Sequence, residues 1–208
     1  MALVKICGIT NAEDALAAVE AGADLLGFNF YAKSPRYVSP RGARLIADEL
    51  PESVARVGVF VNEEGPEAIL RAVSASGVGA AQLHGDETPE FCAMLSGISV
   101  IKALRVGRGF SVERALLYET DALLLDAYAE DAFGGTGRTF DWSVARRTRE
   151  LVPKLFLAGG LTPENVAEAV RAVGPFAVDV SSGVETSPGR KSFRLMRSFV
   201  EAVHEAEG

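Results

Sequence analysis

Val4-Lys5-Ile6-Cys7-Gly8-Ile9-Thr10-Asn11 reads as a short strand that ends on a thiol, turns at a glycine and meets an N-cap residue, so a helix follows at once. Side chains alternate across a strand, which puts Val4 and Ile6 on one face and Lys5 and Cys7 on the other. The apolar face should cover helices, and Cys7 should then point into an interior. A free cysteine is among the most buried residue types, so an inert core thiol is the ordinary reading of Cys7 taken by itself. The rest of the chain changes that reading.

The same unit recurs along all 208 residues: short runs rich in Val, Leu and Phe, each followed by an amphipathic stretch that often opens with Pro or an N-cap residue. After the first strand the runs are Leu25 to Phe30, Arg56 to Val61, Ala80 to Leu83, Val100 to Ala103, Ala122 to Asp126, Leu155 to Ala158 and Ala177 to Val180. Helices are expected to begin near Asn11, Pro40, Pro66, Pro89, Ser111, Asp141, Pro163 and Ser192. Strands that alternate with helices imply a parallel sheet, and eight of them in a chain of this length suit a closed (βα)8 TIM barrel; an open doubly wound sheet is the alternative. No linker or low-complexity tract divides the chain, so residues 1–208 are read as one barrel domain.

Closure sets parity, because outward residues meet helices and inward residues fill the barrel. Taking the apolar β-branched set as outward puts Val57, Val59, Val61, Leu123, Leu125, Val178 and Val180 outside. Cys7, Gln82, His84, Lys102, Asp126 and Asp179 then point in, with Lys5 and Arg56 lower down. Lys5, Arg56 and Lys102 are read as interior ion-pair residues. Polar residues at C-terminal strand ends read as a site, because active sites of this architecture form there.

Composition narrows the classes. The chain is 48% hydrophobic and its mean hydropathy is +0.16, but no apolar run approaches the roughly 18 residues of a membrane span. The N-terminus lacks a charged and then apolar leader, so a cytoplasmic protein is expected. Two cysteines, Cys7 and Cys92, give no reason for a disulfide there, and two histidines, His84 and His204, give no metal cluster. Cys92 and Trp142 read as packing residues. A net charge of −7 argues against nucleic acid and requires that an anionic ligand meet locally placed donors.

Such donors are expected in two loops. Gly159-Gly160 after strand seven and Ser181-Ser182-Gly183 after strand eight lie where barrels commonly bind phosphate through backbone N–H groups. Gly134 to Gly137 lacks the Gly-Lys-Ser/Thr ending of a nucleotide loop and reads as part of a lid spanning Ala127 to Phe140, longer than the usual βα loop of about 2–6 residues. The other long loop, Tyr31 to Ser39, carries Lys33 and Arg36.

Taken in order, Lys5-Ile6-Cys7-Gly8-Ile9-Thr10, Gln82-Leu83-His84-Gly85, Leu125-Asp126, Gly134-Gly135-Thr136-Gly137 with Phe140-Asp141-Trp142, Gly159-Gly160-Leu161, and Val178-Asp179-Val180-Ser181-Ser182-Gly183-Val184-Glu185 resemble the phosphoribosylanthranilate isomerases of tryptophan biosynthesis. The likeness runs from end to end. It implies a (βα)8 barrel that converts N-(5-phosphoribosyl)anthranilate into 1-(2-carboxyphenylamino)-1-deoxyribulose 5-phosphate, an Amadori rearrangement. The partner implied is a small phosphorylated substrate, with no cofactor or metal, and charge and hydropathy add no nucleic acid and no membrane; oligomeric state is left open, a homodimer included. By the same likeness Cys7 is the general base, Asp126 the general acid, Arg36 the partner of the anthranilate carboxylate, and His84 and Asp179 substrate or orienting residues.

Strands one and six stand three steps apart on an eight-membered ring, so two such side chains approach a central ligand from nearly opposite sides. Sequence alone permits the reversed roles. With ordinary carboxyl and thiol pKa values of about 3.9 and 8.5, a protonated acid and a thiolate coexist in only about 10⁻⁴ to 10⁻⁵ of molecules at pH 7. Lys5, on the face of Cys7, is expected to lower the thiol. One departure stands out: the likeness leads us to expect Gly-x-Lys-Asp near the last helix, where the chain has Gly189-Arg190-Lys191-Ser192. Serine is a competent N-cap, so the helix start should survive. A sister phosphosugar isomerase or a non-catalytic phosphosugar-binding barrel are the competing readings; the first should carry an aspartate at position 7 and the second should lack the Cys7 and Asp126 pair.

Overall fold

The apolar runs become parallel strands that close on themselves in a computed structural model, which describes residues 1–107, 110–127 and 141–206. The strands are β1 (Leu3–Cys7), β2 (Leu25–Asn29), β3 (Ala55–Phe60), β4 (Ala80–Leu83), β5 (Ser99–Val106), β6 (Ala122–Ala127), β7 (Leu155–Leu157) and β8 (Ala177–Val180). Each pairs with the next, and β8 returns to β1 with Val4 opposite Val178 and Lys5 opposite Asp179. Between them lie α1 (Ala12–Glu20), α2 (Pro40–Ala47), α3 (Pro66–Ser76), α4 (Pro89–Ala93), α5 (Val112–Ala115), α6 (Trp142–Leu151) and α7 (Val166–Val173). After β8 come a 3₁₀ turn, Ser182–Val184, a small antiparallel pair, β9 (Glu185–Ser187) and β10 (Arg190–Lys191), and the last helix, α8 (Phe193–Glu205).

Local chemistry explains most boundaries. Proline opens α2, α3 and α4, where its missing N–H costs nothing, while Asn11, Ser39, Thr88, Ser111, Asp141 and Ser192 each accept a backbone N–H of the first helical turn. Ser192 therefore does cap α8. The start of α7 comes three residues later than Pro163, because Asn165 folds its side chain back to accept from Thr162 N and donate to the Gly160 carbonyl. β5 runs on to Val106, held by pairing with β6 as far as Ala127.

Two apolar layers result. Val4, Ile6, Leu26, Phe28, Leu83, Leu123, Leu125, Leu155, Leu157, Val178 and Val180 meet the helices, against residues such as Ile46, Ile69, Val166 and Phe199. Leu25, Val57, Ile101, Ala103, Leu124, Phe156, Ala158 and Ala177 fill the barrel floor. Each Leu or Phe fully removed from water contributes about 1.5–3 kcal/mol to these layers.

β3 reverses the expected parity. Val57 belongs to the inner layer, and Val59 and Val61 line the cavity above it, so Arg56, Gly58 and Phe60 face outward. The outer side of β3 is built from aromatic rings over a glycine: a Cβ on Gly58 would lie 2.6 Å from the Phe30 ring, which packs on Phe60 with centroids 5.2 Å apart. Counting β-branched residues misses such a surface. Arg56 donates to the Leu50 carbonyl instead of entering an interior pair. Lys102 is also outside the barrel, between the inward Ile101 and Ala103, with its ammonium 2.6 Å from the buried Glu87 carboxylate. Lys5 alone of the three is an interior ion-pair residue.

Candidate active site

The C-terminal ends of the strands open on a cavity of about 400 Å³. Cys7 from β1, Gln82 and His84 from β4 and the turn after it, Asp126 from β6 and Asp179 from β8 reach it from the barrel, and Arg36 reaches over it from the loop after β2. Gly159, Gly160, Ser181 and Ser182 form the opposite wall. The site residues read from sequence therefore meet in one place, except Gly183, which stands behind the wall. A Cβ there would collide with the Leu161 carbonyl, so glycine lets the loop after β8 pack against the loop after β7. Gly159 and Gly160 have φ of +87° and +65°, a conformation that disfavours side chains. The lid expected from Ala127 to Phe140, with Gly134 to Gly137, lies outside the described residues beyond position 127.

Cys7 is buried above Lys5, whose ammonium lies 2.8 Å from Asp179 Oδ1. Burial pushes the Cys7 thiol up, and the pull of Lys5 and Lys191 only partly offsets it. The expected lowering by Lys5 is thus real as a component but loses to desolvation, with Asp179 adding to the upward push. Lys5 is raised as well, but against burial: burial would lower it, and Asp179 and Cys7 together outweigh that, so it stays a cation. Gly27 in the middle of β2 makes room for the thiol, since a Cβ there would lie 2.7 Å from Sγ. A glycine inside a strand is the sequence signal for such close approach.

His84 Nε2 lies 3.1 Å from Asp126 Oδ2, and Asp126 Oδ1 accepts from its neighbour Ala127 N at 2.8 Å. On its other side His84 Nδ1 lies 2.8 Å from Gln82 Nε2. The turn that carries His84 is held from behind. Glu87, buried, accepts from the backbone N–H groups of Gly85 and Asn62 and from Lys102, which also donates to the Leu83 and Gly85 carbonyls. Asn62, with φ of +52°, accepts the Asp86 N–H on its side-chain oxygen.

A second support went unread in the sequence. Arg36 makes a two-pronged pair with Glu185, Nε to Oε1 at 2.9 Å and Nη2 to Oε2 at 2.7 Å. Glu185 also accepts from Lys191, whose ammonium donates to the carbonyls of Cys7 and Ser181. Burial would raise the Glu185 carboxyl, yet Arg36 and Lys191 together hold it below the usual range. Gly8, with φ of +79°, lets the Arg36 stem cross above β1, where a Cβ would lie 2.5 Å from Cδ. Glu185 and Lys191 stood in quoted motifs, but only tertiary contact shows what they hold. Among the described residues no group of three or more His, Cys, Asp or Glu is placed to hold a metal ion.

Residues 4–202 match the family model of N-(5'phosphoribosyl)anthranilate (PRA) isomerase. The chain belongs to the phosphoribosylanthranilate isomerase family. Its sequence is 50% identical over 206 residues to the N-(5'-phosphoribosyl)anthranilate isomerase of Trichlorobacter lovleyi, covering 99% of this chain and 100% of that one. Its fold superposes on the crystal structure of the phosphoribosyl anthranilate isomerase of Thermotoga maritima with a TM-score of 0.92 at 50% identity, covering 99% of this chain and 100% of that one. A phosphoribosyl anthranilate isomerase solved in complex with reduced 1-(o-carboxyphenylamino)-1-deoxyribulose 5-phosphate matches with a TM-score of 0.89 at 50% identity and the same coverage. This phosphoribosylanthranilate isomerase family barrel carries Cys7 and Asp126 together at one mouth, which separates it from the two competing readings.

Proposed function

We propose that the chain catalyses the Amadori rearrangement of N-(5-phosphoribosyl)anthranilate to 1-(2-carboxyphenylamino)-1-deoxyribulose 5-phosphate in tryptophan biosynthesis, with Asp126 as general acid and Cys7 as general base. The observation that carries this reading is that the two side chains stand on strands three steps apart around the ring and open on the same cavity. Asp126 gives its proton to the furanose oxygen as the bond from C1 to that oxygen breaks, and the amine nitrogen lone pair forms a C=N⁺ bond. Cys7, its own thiol proton released to water as the thiolate forms, takes the proton from C2, whose bonding electrons flow to the iminium and leave an enolamine. Tautomerisation then moves the C2 hydroxyl proton away as C1 gains one, giving the ketose. A positioned acid or base contributes about 10²–10⁴-fold to such a step.

Burial favours the neutral thiol at Cys7. The iminium cation supplies what is missing: a positive charge within a few ångströms favours the thiolate at the moment when the base is needed. Lys5 adds a permanent charge beneath it. The phosphate is placed against the backbone of Gly159, Gly160, Ser181 and Ser182, with Gly183 holding the two loops together. Arg36 is placed on the anthranilate carboxylate; its pair with Glu185 engages two of the five guanidinium N–H groups and leaves the others to bind. Asp179 orients Lys5, and His84 orients Asp126. The base role needs a free thiol, which supports a reducing, cytoplasmic location.

The test is turnover of enzymatically generated phosphoribosylanthranilate, followed as loss of anthranilate fluorescence. The full chain should consume it without added metal or cofactor. A chain that binds the reduced product analogue but gives no turnover would be a binding barrel, and the proposal would fall.

A further inference from the structure

The Gln82 amide nitrogen faces His84 Nδ1 at 2.8 Å, while His84 Nε2 faces Asp126 at 3.1 Å. An amide nitrogen only donates. Nδ1 is therefore the acceptor, and the ring proton sits on Nε2, donated to Asp126. With the Ala127 N–H on the other oxygen, both oxygens of Asp126 accept hydrogen bonds. That arrangement suits a carboxylate, whereas the acid step needs a carboxylic acid.

Gln82 offers the alternative. It is fully buried, and its Oε1 has no hydrogen-bond partner among the described residues. Half a turn about the last side-chain torsion exchanges Oε1 and Nε2 with little change of shape. Oε1 then accepts from Nδ1, so the ring carries a proton there, and a second proton lies on the line between Nε2 and Asp126. This state holds one proton more than the first. Each orientation makes one hydrogen bond to the ring, so the described contacts of the amide favour neither.

We propose that Gln82 is a positioning residue which, through the tautomer of His84, sets whether the His84–Asp126 pair holds the proton that Asp126 delivers. The inference rests on the acid role of Asp126 proposed above. Protons balance over a cycle: Asp126 loses one to the furanose oxygen and Cys7 gains one from C2; the proton left on Nδ1 moves through water to Nε2 as Gln82 turns from acceptor to donor, and then Cys7 releases its proton to water and Nδ1 takes one from water as Gln82 turns back to acceptor. Other charged or titratable groups face the pair across the cavity: Cys7 above Lys5 on β1, Tyr31, Lys33 and Arg36 from the loop after β2, and Asp179 on β8. Glu87, paired with Lys102, lies behind Gly85.

The chain has two histidines, and His204 is exposed on α8, so ¹⁵N-histidine labelling of the full chain reads His84 directly. Wild type should show the Nε2–H tautomer at alkaline pH, gain a proton at Nδ1 on acidification, and shift its Gln82 side-chain amide signals at the same midpoint. An Nδ1–H tautomer at alkaline pH, or Gln82 signals that stay still through the His84 midpoint, overturns the proposal without any variant. Gln82→Glu, which can only accept when ionised, should hold the proton on Nδ1 under conditions where the wild type shows the Nε2–H tautomer. Gln82→Met should lower kcat by about tenfold or more, with KM within about threefold, and displace the pH profile of kcat. Wild-type spectra and profiles in both variants would also overturn it. Asp126→Asn separates the two readings: if it retains kcat within about tenfold, the acid role fails, while the tautomer measured by NMR still decides the role of Gln82.

Discussion

Lys5 lies directly below Cys7 on the inner face of β1, with its ammonium 2.8 Å from the Asp179 carboxylate of the neighbouring β8. Both partners are buried, so removing one strands a charge in the barrel. Lys5→Met should destabilise the fold by about 3–5 kcal/mol, measured by urea unfolding. It should also raise the pH at which the Cys7 thiol ionises, read from the pH dependence of thiolate absorbance in Cys92→Ala backgrounds. An unchanged ionisation would separate Lys5 from the chemistry and leave it a structural cation.

Cys7→Ala and Asp126→Asn should each lower kcat by about 10²–10⁴-fold while the reduced product analogue still binds. Losses within about tenfold would reassign the roles. Iodoacetamide should inactivate through Cys7, slowly at neutral pH because burial favours the thiol, and faster as pH rises. Bound product should protect. Peptide mapping that finds inactivation tracking Cys92 would contradict the assignment.

Stability should fall on the alkaline side for a reason that the thiols supply. Burial pushes Cys92 from 9.0 to about 11 and moves Cys7 in the same direction. A group raised on folding favours the native state fully below its unfolded value, and that contribution is lost as pH rises through the folded one. The urea midpoint should therefore drop between about pH 9 and 11, and Cys92→Ala should flatten part of that drop. The raised Lys5 adds loss of the same sign only at the top of this window. A midpoint independent of pH over this range would count against buried neutral thiols.

Arg36→Met should raise KM about 10- to 100-fold with a smaller change in kcat, the range of about 1.5–3 kcal/mol for hydrogen bonds to a charged group. Glu185→Gln weakens the clamp that aims Arg36 and should move KM in the same direction by less. Steady-state kinetics decide both; an unchanged KM in Arg36→Met would remove it from the substrate.

Gly183→Val should cost phosphate binding, because its side chain would push the loop after β8 off the Leu161 carbonyl and open the wall. Competitive inhibition by inorganic phosphate or sulfate measures this. A crystal soaked with sulfate should place the anion between the loops after β7 and β8. An anion bound against Arg56 on the outer face instead would discard the phosphate assignment.

Alternating apolar runs, prolines at helix starts and small polar caps are local signals, carried by neighbours within a few residues, and they were enough to read the eight units, their order and the strand ends where a site belongs. Cys7, His84, Asp126 and Asp179 were legible as inward residues because each follows a clear outward apolar partner. β3 was not, since its valines fill the inner face while the outer one carries Arg56, Gly58 and Phe60, and only the Phe30 and Phe60 rings over Gly58 show which one meets the helices. Lys102 misled for a related reason: a long stem can bury its ammonium on either side of a strand, and the partner that drew it outward, Glu87, lies 15 residues away. The clamp from Arg36 to Glu185 spans 149 residues, and the pairing of His84 with Asp126 spans 42. The balance of burial against Lys5 at the Cys7 thiol is likewise a sum over space. Periodicity along the chain carries none of these terms, because desolvation and charge act through distances that exist only once the barrel has closed.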